Sequence, residues 1–520
     1  FAMSMSIRNA GVRGCGVLMM AVCVHVACGA GDGAAGGSVV GTAGVPMLEE
    51  RADFTDLPAR WAGVMDLFGV PGMAVGIVKD GRVYAAQAWG VRDGKGHAPD
   101  LDTKFYIASI TKTMTATAVV TLAAEGTLSL DDAAVKHLPR FVLPGGAASG
   151  ETGDITIRDL LSHRKGVNCG QAVLLDAYTG EITDDRFFGL LARYGERGNA
   201  PRYTNTHFTL LGRVIEKATG KAWQTSLETL VLGPVGMTRT SGFISARDAN
   251  SAAPMRRTEK GFEEVTPWKT DATMHAAGGL DSTARDMMRW IQVHVNDGAI
   301  DGKQVFKPGV LTSMTRVEAR FDKPQGQLRI VEGFGLAWQV GTYKGTPMAS
   351  HSGGYEGASA YVALLPEKKS GFVVLMNASG AARGLADVIA IDVLERLVES
   401  KDGTSVYDAY VERAKKEAFR PAVPTLMISG DAITPRLRAA AGAYTNELFG
   451  TLTLEVGKNA AGERWGARLG AMPLDVVAAE GGFTVPEGSD LGPATGEIGD
   501  NMVTVKHARL GDLVFTRTTK

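Results

Sequence analysis

The chain has 520 residues, 45% hydrophobic and 21% charged, with 55 Lys+Arg against 56 Asp+Glu and a formal charge of −1. This length exceeds one ordinary core, and the composition excludes disorder throughout. The charge balance excludes a global field that would draw nucleic acid or an anionic membrane, leaving a small molecule or short peptide as the expected ligand.

In chain order, residues 1–28 start with basic Arg8 and Arg13 and continue as an apolar run from Cys15 to Cys28, too short to span a bilayer. They read as an export signal, and the protein is expected to be periplasmic or a membrane-anchored lipoprotein. Cys28, within Ala27-Cys28-Gly29, is the residue a lipid tether would use. Cys169 is the one cysteine of the body and reads as a buried apolar thiol. Residues 29–46 are a Gly/Ala-rich tether, in which Gly31, Gly33 and Gly36 spell GxGxxG without a strand before or a helix after.

Residues 47–415 form the expected main domain. An amphipathic helix over Leu57–Phe68 leads to a hairpin, Ala74–Val78 and Val83–Trp89, turned at Asp80-Gly81. Helical stretches follow at Ile155–Ser162, Phe188–Tyr194, Phe208–Ala218 and Thr283–Asn296. Strands return at Gly335–Val340, Ala360–Leu365 and Phe372–Met376, so the sheet must draw on both ends of the domain. A helix at Ala386–Glu399 closes it. Pro421, Pro424 and Pro435 mark a linker at 416–436, and 437–520 alternate apolar and polar residues between Gly-rich turns, as a small all-β domain does.

Three elements carry chemistry. Ser109 and Lys112, in Phe105-Tyr106-Ile107-Ala108-Ser109-Ile110-Thr111-Lys112, enter a nearly all-apolar helix. Residues three apart share a helical face, so hydroxyl and amine can meet, and a lysine taken out of water becomes neutral enough to accept the serine proton. A second S-x-x-K, Ser162-His163-Arg164-Lys165, closes a helix before Gly166 and reads as a solvated helix end with charges set against the dipole.

Tyr203-Thr204-Asn205 sits on a loop before the helix at Phe208. Its phenol can shuttle protons, with the anionic form favoured beside a lysine, and Asn205 can bind a substrate amide. The same triplet at Tyr444-Thr445-Asn446 opens a strand of the carboxy-terminal domain and has no S-x-x-K near it. His351-Ser352-Gly353-Gly354 precedes the strand Ala358–Leu365, where glycines admit close approach of backbone to substrate. A rival triplet, Lys369-Ser370-Gly371, lies in a turn between strands. No H-E-x-x-H occurs among the nine histidines, and neither metal nor cofactor is implied.

With these elements in order, residues 55–400 resemble the S-x-x-K serine hydrolases: class C β-lactamases, penicillin-binding carboxypeptidases, D-aminopeptidases and family VIII-type esterases. Leu160-Leu161-Ser162-His163, Leu210-Leu211-Gly212, Pro234-Val235-Gly236-Met237 and Ala277-Gly278-Gly279-Leu280 support the resemblance, and 437–520 look like the small lipocalin-like domain that follows many such enzymes. The resemblance implies an α+β, β-lactamase-like fold, an antiparallel sheet flanked by helices with an all-helical subdomain. It implies catalysis by Ser109, Lys112, Tyr203 and His351 through an acyl-enzyme, with Asn205, Ser352, Gly353 and Gly354 at the substrate and an oxyanion held by the N–H groups of Ser109 and Gly354. His351 stands where the β-lactamases carry lysine, which favours a peptidase or amidase on short peptides with D- or unusual residues; an esterase or β-lactamase is the alternative. A reading from another class is a non-catalytic envelope protein that binds peptides.

Overall fold

The structure, a computed structural model, describes residues 45–145, 152–258, 261–265, 269–326, 329–380, 382–400, 407–409, 411–412, 434–459, 462–474, 476–479, 481–485, 493–508 and 510–518. The expected export signal with Cys28, nearly all of the 29–46 tether and most of the 416–436 linker lie outside these residues.

The main sheet is assembled from both ends of its domain. Its strands are β1 (Gly72–Lys79), β2 (Arg82–Gly90), β3 (Ala319–Gln325), β4 (Arg329–Phe334), β5 (Gln339–Tyr343), β6 (Thr346–Tyr355), β7 (Ala358–Leu365) and β8 (Ser370–Met376). They lie in the order β3-β4-β5-β6-β7-β8-β1-β2, each pairing antiparallel. β1, β7 and β8 are buried on both faces, because helices cover each side. On one side α1 (Leu57–Phe68) and α5 (Ala382–Leu397) share a core with Tyr361, Phe372 and Val374. On the other, α4 (Ala284–Val295) packs on the alternate residues, with Val362 and Val373.

The strand expected over Gly335–Val340 is not formed as such. Gly335–Trp338 is the turn between β4 and β5, with Ala337 in the left-handed region at φ 69°. Three strands, β3, β4 and β6, have no counterpart in the expected elements, since their residues lack the apolar run of β7. β3 in particular is mostly exposed.

The helical subdomain centres on α2 (Thr111–Ala124) and α3 (Asn205–Thr219). From Thr103 to Val120 every residue is buried except Ser109, so α2 is a central helix with apolar residues on all sides. Thr113, Thr115 and Thr117 stay inside because their hydroxyls find Ile110 O, Ala276 O and Thr113 O.

The carboxy-terminal domain is one nine-stranded antiparallel sheet. Its end strands, Met472–Leu474 and Val477–Ala479, do not pair with each other among the described residues, making it a curled half-barrel instead of a closed one. It seats on the helical subdomain: the Thr451 N–H donates to Glu181 Oε2 (2.8 Å), that of Ala471 to Thr179 O (2.8 Å), and Phe449 meets Tyr194 edge-on. Tyr444 is buried in this domain with its hydroxyl on Ala440 O.

Candidate active site

Ser109 lies in a 3-10 turn, Ala108–Ile110, that feeds α2. Ala108 takes a positive φ of 44°, a conformation that costs a non-glycine residue about 1–3 kcal/mol and that clusters at working sites. The strain sits one residue before the single partly exposed position of the buried run.

Lys112 is fully buried, and its Nζ is 3.0 Å from Ser109 Oγ, 2.8 Å from Asn205 Oδ1 and 2.6 Å from Ala277 O. Loss of water pushes its pKa far below the ordinary lysine value, with Asp176 opposing weakly. A neutral amine has two hydrogens and one lone pair. Asn205 Oδ1 and Ala277 O only accept, so they take the two hydrogens, and the lone pair is left facing the Ser109 hydroxyl.

The Ala276–Leu280 turn is fastened along α2 at several points. Leu280 N–H donates to Thr111 Oγ1 (3.1 Å), Ala276 O accepts from Thr115, Ala277 O from Lys112 and Gly278 O from the Tyr106 hydroxyl. Gly212 on α3 permits this approach, since a Cβ there would lie 2.5–2.7 Å from His275 and Ala276. The Ala-Gly-Gly-Leu and Leu-Leu-Gly strings thus have a shared purpose: they let a carbonyl reach the lysine.

Tyr203 ends the loop before α3, with Thr204 as the N-cap accepting from Thr206 N–H. Lys112 Nζ is 4.9 Å from its ring centre. The sequence suggested a phenol whose anion is favoured by the lysine. The structure reverses this: burial raises the Tyr203 pKa above its ordinary value, against a hydrogen bond with Ser109 and the charge of Arg383. The same loss of water disfavours the charge of Lys112, so the lysine does little to favour a phenolate and the phenol keeps its proton.

His351 is buried on β6, 6.0 Å ring to ring from Tyr203, and donates Nδ1–H to Ser352 O (2.8 Å). Burial lowers its pKa to about 3, so it is neutral at any ordinary pH. Among the described residues the 351–355 half of β6 pairs only with β7, because β5 begins at Gln339, opposite Ser350. Its free side meets the nucleophile turn, and a Cβ on Gly353 would sit 2.1 Å from Ile107 O. Gly354 is next along, with the Arg383 guanidinium beside it. Ser352 is exposed, on the opposite face from His351. The structure therefore brings Ser109, Lys112, Tyr203, Asn205, His351 and Gly353 to one place. Asn205 meets the lysine there, whereas it was expected to meet substrate.

The rival strings fall elsewhere. Ser162 Oγ donates to Arg158 O (2.7 Å), and Lys165 reaches Asp154 at 3.3 Å. The reading of that segment as wholly solvated is corrected, since Ser162 and His163 are buried. Lys369 holds the β7–β8 turn at φ 43°, its carbonyl accepting from Gly81 N–H. Cys169 is buried, its thiol pushed up to about 11 by loss of water.

Of four further residues near the site, His207, Asp176 and Arg383 carried no motif, and His163 was read only within the Ser162–Lys165 and Leu160–His163 strings. Val167 N–H donates to His207 Nε2 (3.0 Å), so His207 keeps its proton on Nδ1 and passes a hydrogen bond to His163 Nδ1 (2.8 Å). The His163 ring then packs against Tyr203, with 4.8 Å between centres. Burial drives both imidazoles down, His207 to about 3. Asp176 is buried, accepts from Thr209 (3.0 Å), and has its carboxyl pushed up by burial. Arg383 is exposed, its guanidinium beside Gly354.

Comparison with known proteins decides the family. Residues 62–395 match the protein family described as Beta-lactamase. The chain belongs to the beta-lactamase family. It is 26% identical over 353 residues to "Penicillin-binding protein 4" of Amycolatopsis lactamdurans, covering 66% of this chain and 90% of that one. Identity is also 26%, over 326 residues, to "D-alanyl-D-alanine-carboxypeptidase/endopeptidase AmpH" of Escherichia coli (strain K12), covering 61% and 81%. The octameric penicillin-binding protein homologue from Pyrococcus abyssi superposes with a TM-score of 0.56 at 24% identity, over 88% of this chain and 99% of the other. That last likeness extends the shared fold beyond the family match.

Proposed function

We propose that this beta-lactamase-family chain is a serine hydrolase that forms an acyl-enzyme on Ser109, acting on amide or ester bonds of short peptides. One observation carries the reading: the buried Lys112 has both amine hydrogens committed to acceptor-only oxygens, leaving its lone pair on the Ser109 hydroxyl 3.0 Å away. Lys112 takes the serine proton as Ser109 Oγ attacks the carbonyl carbon. The protonated phenol of Tyr203 gives a proton to the leaving group and is re-protonated by Lys112, and in the second half the water that cleaves the acyl-enzyme passes its proton through the same pair to Ser109 Oγ. The developing oxyanion is held by the N–H groups of Ser109 and Gly354, and Asn205 keeps the lysine aimed.

Neutral His351 offers a substrate carboxylate no charge, unlike a lysine at that position. The exposed Arg383 supplies the cleft's cation instead, which suits a peptide bearing a free carboxylate. Relatives named as carboxypeptidase and penicillin-binding protein agree with peptides as substrates, and the basic and apolar start of the chain agrees with export, with Cys28 as its lipid site.

The test is a turnover panel of a chromogenic cephalosporin, short aryl esters, D-amino-acid amides and linear peptides with free or amidated ends, run beside Ser109→Ala. Turnover of a peptide or amide that falls by at least about 10³-fold in the variant is the expected result. Equal rates for the two proteins on every substrate turned over would remove the reading and favour a silent peptide-binding protein.

A further inference from the structure

One short segment, residues 175–181, holds a different part of the molecule at each end. Leu175–Thr179 form a single π-helical turn, a form that occurs mostly as isolated turns and frequently at functional sites. The carboxy-terminal half-barrel holds the later end. Thr179 O accepts from Ala471 N–H (2.8 Å) and Glu181 Oε2 from Thr451 N–H (2.8 Å), while Glu181 N–H donates back to Thr179 Oγ1 (3.2 Å). Two glycines with left-handed backbone permit this approach. A Cβ on Gly470 (φ 57°) would lie 2.5 Å from Thr179 O, and one on Gly450 (φ 82°) 2.3 Å from Glu181 Oε2. Arg186 ties the same corner, donating to Glu181 O (2.7 Å) and to Glu447 O (3.1 Å).

The earlier end reaches the catalytic residues. Ala177 O accepts from the Tyr355 hydroxyl (2.7 Å), and the Tyr178 ring stacks on that of Tyr355 with 5.4 Å between centres. Tyr355 ends β6, one residue after Gly354, on the half of the strand that has no second neighbour strand among the described residues. Ala177 and Tyr355 also share one small apolar cluster with Tyr106, Met274 and Ala108, the residue before Ser109. Asp176 O accepts from Met274 N–H (2.6 Å), two residues before the turn whose Ala277 carbonyl holds Lys112. A half-strand paired along one edge is braced by little else in its own sheet, and a displacement of about 1 Å at a catalytic centre can cost about 10²-fold in rate. The hydroxyl and ring of Tyr355 supply the brace, and they stand on a turn that the half-barrel holds two residues away.

We propose that the half-barrel is a working part of the catalytic site: by holding residues 179–181 it sets the π-helical turn, and through Tyr355 that turn keeps Gly353 and Gly354 against the nucleophile turn. Glu181 is the positioning residue of this arrangement, and its effect on the reaction rests on the reading of Ser109 as nucleophile.

Two measurements on the full chain test this, one of them independent of turnover. Amide hydrogen exchange follows residues 353–357 and 106–110 directly, and a serine-directed fluorophosphonate reports how fast Ser109 is labelled, separated into kinact and KI. Glu181→Ala is expected to speed exchange in both segments at least about fivefold. It should lower kinact at least about tenfold, with KI within about threefold of the parent. Glu181→Gln, which keeps an oxygen for Thr451 N–H, should return exchange and kinact to within about twofold of the parent. Gly470→Ala, which presses on Thr179 O from the half-barrel side, should act like Glu181→Ala, and it decides alone should circular dichroism show that Glu181→Ala does not fold. Faster exchange confined to 179–181 and the half-barrel, with 353–357, 106–110 and kinact unchanged, overturns the proposal. A parent chain left unlabelled at Ser109 would remove the nucleophile reading instead, and exchange would then decide whether the half-barrel braces β6.

Discussion

The chain holds two S-x-x-K strings, and they end in opposite chemistry. Ser109 precedes a helix, and Ser162 follows one, where its hydroxyl closes the helix by donating to Arg158 O. Lys112 is sealed among acceptors and loses its charge, whereas Lys165 is 41% exposed and pairs with Asp154. Spacing alone makes a serine and a lysine neighbours. What makes the lysine a base is removal of water around it, with acceptors for both of its hydrogens and no donor for its lone pair except the serine.

The largest test of that contrast replaces each lysine by arginine. A guanidinium stays protonated in proteins, so Lys112→Arg is expected to lower kcat by at least about 10²-fold, while Lys165→Arg leaves kcat within about twofold. Steady-state kinetics on whichever substrate the panel identifies reads both. Should Lys112→Arg keep full activity, the neutral-amine mechanism is lost and Tyr203 becomes the base.

Next in size is acid stability. His163, His207, His294 and His351 are buried with depressed pKa values. Above about pH 6.5 each is neutral whether the chain is folded or unfolded, and none contributes. As pH falls through that value the unfolded chain binds protons that the folded one refuses, so stability drops by about 1.4 kcal/mol per pH unit per imidazole until each folded value is reached, near 3 for His207, His294 and His351. Urea midpoints between pH 7 and 4 should fall steeply, and His294→Gln, remote from Ser109, should flatten the slope. A midpoint independent of pH over that range would show that the imidazoles are not buried as described.

The smallest effect is expected at the decoy. Ser162→Ala removes one buried hydroxyl and its bond to Arg158 O, a loss of about 1 kcal/mol, with turnover within about twofold of the parent. Chemical denaturation and kinetics on one preparation give both numbers. A loss of activity like that of Ser109→Ala would exchange the roles of the two strings.

Much of the outer frame was legible locally. The hairpin at Asp80-Gly81, α1, α3, α4 and the apolar strands β7 and β8 announce themselves by period and turn chemistry. β3 and β4 did not, because an edge strand and the mixed-polarity strand beside it carry no clear alternation, and Gly335–Trp338 was absorbed into a strand because a turn with apolar residues looks like one. At the site, Ser109 and Lys112 were found from spacing and a buried helix, and Tyr203 from its loop. The pairing of His163 with His207, 44 residues apart, had no local trace, and neither did Arg383 beside Gly354.

The sequence by itself determined the family frame and which side chains could do chemistry, because apolar period, turn residues and a serine three places before a lysine are properties of neighbouring residues. Only the tertiary structure decided which of two serines is armed, that Tyr203 keeps its proton and that Asn205 serves the lysine. Those outcomes depend on how much water and which acceptors surround each group, and these surroundings come from segments more than a hundred residues apart, such as Lys112 and Ala277.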